Sequence, residues 1–132
     1  MSFLIGSPYE TKEDLEKIYD FIELNEDKLL EIEINALVPQ PMTPLWNYAM
    51  EKGFVSYDMD WSKLKDHSFR LDINKDNFIY LNEKMDFEEF IEMKDKLAQF
   101  YPRINMKPEH MELAPKLFKL DQIPAKIKSY TK

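Results

Sequence analysis

The stretch LLEIEINALVPQP, residues 29–41, constrains the fold of this chain more than any other. Leu30, Ile32, Ile34, Ala36 and Val38 alternate with Glu31, Glu33 and Asn35, so the segment reads as a strand with one apolar and one polar face. It stops at Pro39, which has no backbone N–H to offer a ladder. Upstream, Phe3, Leu4 and Ile5 form a short apolar strand ending at Gly6, one of only two glycines in the chain. Thr11 then stands as an N-cap with Asp14 three residues on, and Leu15, Ile18, Tyr19 and Ile22 recur at helical spacing. A helix over residues 12–25 follows, with NEDK as its closing turn. Strand, helix, strand in that order predicts a right-handed crossover and two parallel strands. Parallel sheets normally bury both faces and contain more than two strands. The polar face therefore either lines a barrel interior or meets water, and further strands come from elsewhere or from a partner.

Beyond the second strand, TPLWNYAMEKG places Thr43 as cap, Pro44 at the first helical position and Gly53 just past the end. The buried stripe of that helix is expected at Leu45, Trp46, Tyr48 and Ala49. Residues 54–68 read as an irregular loop holding Trp61, and FRLDINKDNFIY suggests a hairpin about Asn74–Asn77. Asp86 and Glu89 form a second capping box, opening a helix expected to reach Tyr101 with Phe87, Phe90, Ile91, Leu97 and Tyr101 inward. Three prolines in the last thirty residues predict short helices wrapped on the body. The fold class expected is α/β: a fragment of a (β/α) partial TIM-type barrel over residues 1–61, with a mainly helical C-terminal extension over 62–132.

With no cysteine, the chain supplies neither a disulfide nor thiolate ligands for a metal or a cluster. His67 and His110 lack a third ligand at metal spacing, and Asp58-x-Asp60 lacks the glycine and distal glutamate of a calcium loop, so no metal site is expected. No apolar run spans a bilayer and no signal-peptide pattern opens the chain, which sets a cytoplasmic expectation. The net charge of −7 opposes phosphate-backbone binding, so no nucleic-acid or membrane partner is expected. Seven Lys/Arg against three Asp/Glu over residues 103–132 make a basic tail, expected to lie against the acidic body. Trp46, Tyr48, Phe54, Tyr57 and Trp61 read as a core aromatic patch.

FLIGSPYETKEDLEKIYDFI, followed by NALVPQPMTPLWNYAMEKG and then DW, resembles the C-terminal part of a radical SAM enzyme core. The similarity is to the subgroup that often carries a cobalamin-binding domain. Such proteins show a strand ending in Gly-x-Pro-Gly-Glu-Thr and a later strand ending in Pro-x-Pro-Gly-Thr-x-Leu. Gly6, Pro8, Glu10 and Thr11 match the first motif, and Pro39, Pro41, Thr43 and Leu45 the second. Tyr9 and Met42 stand where the pattern has glycine, and the Cys-x-x-x-Cys-x-x-Cys loop that holds a 4Fe-4S cluster has no counterpart. The resemblance covers roughly residues 2–61.

It implies a fragment of an iron–sulfur oxidoreductase. The intact parent, with a 4Fe-4S cluster and S-adenosylmethionine and in some members cobalamin, would cleave S-adenosylmethionine reductively to a 5′-deoxyadenosyl radical. Gly6, Ser7, Pro8, Glu10 and Thr11 would then contribute to the S-adenosylmethionine rim, and Glu31, Glu33 and Asn35 to the substrate cavity. The chain alone is expected to hold no cofactor and to be inactive. Its partners would be the missing N-terminal barrel half or, through exposed strand edges, a second copy. The alternative is a non-catalytic interaction module that binds a protein partner through its sheet edge.

Overall fold

The computed structural model describes residues 1–65 and 72–109. Strand β1 (Ser2–Ile5) leads through the Gly6 loop into α1 (Lys12–Asn25) and back to β2 (Glu33–Ala36). The two strands pair in parallel, with Ser2 beside Glu33, Phe3 beside Ile34, Leu4 beside Asn35 and Ile5 beside Ala36. The chain is thus mixed α/β with a two-stranded parallel sheet. The second strand is shorter than its alternation suggests because β1 offers only four residues to pair with. Thr11 and Asp14 close the capping box of α1 reciprocally, the Asp14 carboxylate accepting the Thr11 N–H at 2.9 Å.

Alternation decides what each sheet face meets. Ile5, Ile32 and Ala36 are buried under α1, beside Leu15 and Ile22. Helix α2 (Pro44–Glu51) starts at the Thr43 cap, and Gly53 follows its end with φ +76°. Trp46 and Ala49 are its buried positions, while Leu45 and Tyr48 are half-buried. Trp46, Ala49 and Leu45 pack with Val55, Ile79 and Leu81 in a second, smaller cluster. Phe54, Tyr57 and Trp61 remain exposed, so only Trp46 of the expected aromatic patch is core. Tyr57 and the short 3-10 turn carrying Trp61 shelter Trp46 from outside, the two tryptophan rings stacking with centroids 5.8 Å apart.

No hairpin forms among the described residues 72–80. Asn74 and Asn77 close a tight turn with their own side chains, the Asn77 carboxamide accepting the Asn74 N–H at 2.9 Å. Helix α3 (Phe87–Ala98) opens at the Asp86–Glu89 capping box but stops short of Tyr101, and α4 (Phe100–Asn105) starts after one turn residue. Pro102 explains the break: its ring would collide with the carbonyl of Ala98, four residues back, whereas the first turn of a new helix tolerates it. Phe90, Met93, Leu97, Phe100 and Ile104 complete the main core, which draws on residues from both sides of position 61. His67, His110 and the last two prolines fall outside the described residues, as does most of the basic tail. Among the described residues no helix is long and apolar enough to cross a membrane.

Candidate functional site

The loop at the carboxyl end of β1 is built from the five residues the resemblance singles out. Gly6 has φ +90°, a conformation that L side chains rarely adopt, and its N–H donates to Glu10 Oε2 at 2.7 Å. A Cβ at Gly6 would stand 3.5 Å from the Phe90 ring, so α3 closes one side of the loop. The Glu10 N–H donates to the Ser7 carbonyl at 3.3 Å. Burial pushes the Glu10 carboxyl above its ordinary value, only partly offset by the Gly6 N–H that stabilises its charged form. Glu10 therefore acts as a brace across the turn.

Asn82 completes the loop, and nothing local in the sequence marks it. Its Nδ2 donates to the carbonyls of Ser7 at 2.7 Å and Glu10 at 2.6 Å, while its Oδ1 accepts the N–H groups of Lys84 at 2.8 Å and Met85 at 2.7 Å. One buried carboxamide thus uses all its main bonding directions to hold two chain segments more than seventy residues apart. Beside it, the Glu83 N–H donates to the Pro8 carbonyl at 2.9 Å. The Glu83 carboxylate accepts from Tyr48 Oη at 2.6 Å and Lys52 Nζ at 3.0 Å, tying α2 to the same rim. That contact lifts the Tyr48 phenol to about 12 and holds Glu83 below its ordinary range.

The opposite face of the sheet, away from the helices, carries a groove of about 340 Å³ lined by Leu4, Glu33, Asn35, Ala36, Leu37, Val38 and Gln40. Glu33 and Asn35 therefore sit together on the face where the resemblance implies a cavity. Glu31 is exposed and outside that lining; its carbonyl accepts the N-terminal ammonium at 2.9 Å. Asn35 Oδ1 is buried without a hydrogen-bond partner among the described residues, and Asn35 Nδ2 reaches Ser2 Oγ at 3.5 Å.

The residues present do not fit an iron–sulfur cluster. The chain offers no thiolate, and among the described residues no group of three His, Asp or Glu side chains converges. For S-adenosylmethionine the loop offers a partial rim: several of its amides and carbonyls are bonded within the chain, while the Tyr9 ring is exposed.

Fold and loop together define a mixed α/β chain with a two-stranded parallel sheet, whose first strand ends in a braced, glycine-initiated turn. Comparison with known proteins finds no matching protein family, no similar curated protein and no similar solved structure.

Proposed function

We propose that this chain is the C-terminal part of a radical SAM-type (β/α) barrel, contributing the rim of a site whose cluster-binding cysteines lie on another segment. The observation that carries the reading is the backbone at Met42. This residue has φ 67° and is 98% exposed, the only non-glycine among the described residues with positive φ, at the position where the second motif of the family has glycine. Methionine is tolerated there because its side chain meets only water. The turn geometry that the glycine serves is thus kept although the glycine is not. Tyr9, at the other replaced glycine, shows no such conformation.

The layout supports the same reading. The apolar sides of β1 and β2 face the core under α1 and α3, while Leu4, Glu33 and Asn35 face an open groove, as inward-pointing positions of a barrel would. The Gly6 loop lies at the carboxyl end of its strand, the end at which barrel enzymes bind their ligands. In this reading Ser7 and the Gly6–Thr11 backbone border S-adenosylmethionine, which supplies the radical chemistry when a reduced cluster is present. Glu33 and Asn35 would orient a substrate.

The test lies upstream. If the DNA preceding this reading frame encodes a three-cysteine loop on a half barrel, that polypeptide is produced anaerobically with this chain. The combination should show the electron paramagnetic resonance signal of a reduced 4Fe-4S centre and release 5′-deoxyadenosine from S-adenosylmethionine. Upstream DNA without the cysteine loop refutes the proposal. A second reading, an interaction module without catalysis, is favoured by the outer edge of β1, which no described residue pairs with.

A further inference from the structure

The two edges of the sheet are not equivalent. The Glu33 N–H donates to the Met1 carbonyl and the Leu37 N–H to the Ile5 carbonyl, each at 2.8 Å. In a parallel ladder this parity turns the amide groups of Phe3 and Ile5 toward β2 and those of Ser2 and Leu4 outward. On the far side of β2, Ile32 also points outward, but it is already paired. Its N–H donates to Asn105 Oδ1 and its carbonyl accepts from Asn105 Nδ2, both at 2.8 Å. A side-chain amide thus takes the place of a neighbouring strand's peptide group at the start of that edge, whereas Ile34 and Ala36 further along it turn their amides outward without such a partner among the described residues. Among the described residues nothing hydrogen-bonds the backbone of Ser2 or Leu4.

An apolar strip accompanies the open edge. Tyr19 of α1 faces α4, its ring centroid 4.9 Å from that of Phe100. Two residues on, Phe21 projects from the opposite side of the helix, toward β1, and meets the Phe3 ring edge-on at 6.1 Å. Phe21 is 43% exposed and Leu24, on the same side one turn later, is 84% exposed. A free strand edge flanked by a bare apolar helix face is the signature of an interface.

We infer that the chain forms a two-fold dimer in which β1 pairs antiparallel with β1 of a second copy. The occupant follows from self-complementarity. A two-fold axis normal to the sheet at Phe3 sets Ser2 of each copy opposite Leu4 of the other, satisfying all four outward amide groups on each copy. The same axis passes beside Phe21, because Phe3 and Phe21 are in contact. A crossover helix centred over its strand pair lies about half a strand spacing inside β1. Across the paired edge the two α1 axes are then about 10 Å apart, within the range of helix–helix contact. Phe21 and Leu24 of each copy meet their counterparts, giving an isologous contact that closes at two. The inference concerns this chain by itself and does not need the barrel reading, in which the same edge of β1 would be taken by the other barrel segment.

Light scattering and cysteine cross-linking test it on the full chain, which is free of cysteine. At tens of micromolar the mass should be twice 15.9 kDa, and Leu24→Glu should raise the dissociation constant at least tenfold with an unchanged circular dichroism spectrum. Under mild oxidation the double variant Ser2→Cys/Leu4→Cys should trap a covalent dimer, because the two positions face each other at about 5.5 Å between Cα atoms. Either single variant should not, since like positions lie about 8 Å apart, beyond disulfide reach. A monomeric mass at 100 µM overturns the inference. So does a dimer that Leu24→Glu leaves intact, or one that the double variant fails to cross-link.

Discussion

Replacing Asn82 by alanine should damage the rim more than any change to the rim's own residues. The substitution deletes four hydrogen bonds at 2.6–2.8 Å and strands two carbonyls, of Ser7 and Glu10, and two N–H groups, of Lys84 and Met85. A hydrogen bond contributes about 1 kcal/mol net, and a buried group left without a partner costs about 1–3 kcal/mol. Asn82 is 9% exposed, so water can reach part of the vacated space. The expected loss is about 3–4 kcal/mol, a melting point lower by roughly 10–15 °C for a chain of this size. Urea unfolding followed by circular dichroism measures it, with the slope against urea unchanged. Asn82→Asp separates lost bonding from lost volume. At neutral pH its carboxylate faces two carbonyl oxygens and should cost about as much as alanine; near pH 4 the protonated acid donates again and recovers part of the loss. A loss below about 1 kcal/mol for Asn82→Ala would refute the claim that this one side chain holds the rim.

Met42→Gly should stabilise the chain by about 1 kcal/mol, since methionine alone bears the cost of positive φ at that turn; calorimetry reads it, and a loss would show that the Met42 side chain has a role. Glu10→Gln keeps an acceptor for Gly6 N–H while removing a charge that burial disfavours. Because the native carboxyl holds its proton above the ordinary value of 4.5, Glu10 helps folding at low pH and loses that help as pH rises through its raised native value. The variant should therefore match the wild type in acid and be at least as stable at pH 7, checked by melting curves across pH 4–7. Anaerobic reconstitution of the chain with iron and sulfide should give no charge-transfer absorbance, because no thiolate is present to bind a cluster; stoichiometric iron uptake would contradict this.

Local chemistry made much of this fold readable in the sequence. Thr11–Asp14, Thr43–Pro44 and Asp86–Glu89 each start a helix where they stand, because capping needs only neighbours within one turn. The strand–helix–strand order announced the parallel pairing, and the alternation of β2 announced the two-faced sheet with Glu33 and Asn35 together on the groove. The end of α3 is written in the sequence too, in Pro102 and the carbonyl four residues before it. Asn82 and Asn105 were not legible. Each acts through its side chain on backbone some seventy residues away, and an asparagine in a loop carries no periodicity or cap pattern to announce such a partner. The exposure of Tyr57 and Trp61 was hidden for a related reason: composition reveals an aromatic cluster but not which of its members lies outermost.

The two asparagine tethers also bear on the order in which the chain acquires its structure during synthesis. The strand–helix–strand unit is local in sequence, yet the rim of β1 awaits Asn82, and the start of β2 awaits Asn105. Phe90, Phe100 and Ile104, which seal the core beneath the sheet, arrive in the same interval. At about 5–20 residues per second a ribosome needs several seconds to cross from residue 36 to residue 105. Until then β1 and β2 have the Leu15 and Ile22 side of their core but not the complete set of later core residues and tethers. Non-local contacts gain nothing until the intervening loop has been closed, so the contacts that complete the rim and the core come late. Until the second half is made, the apolar side of the first half has only part of its cover.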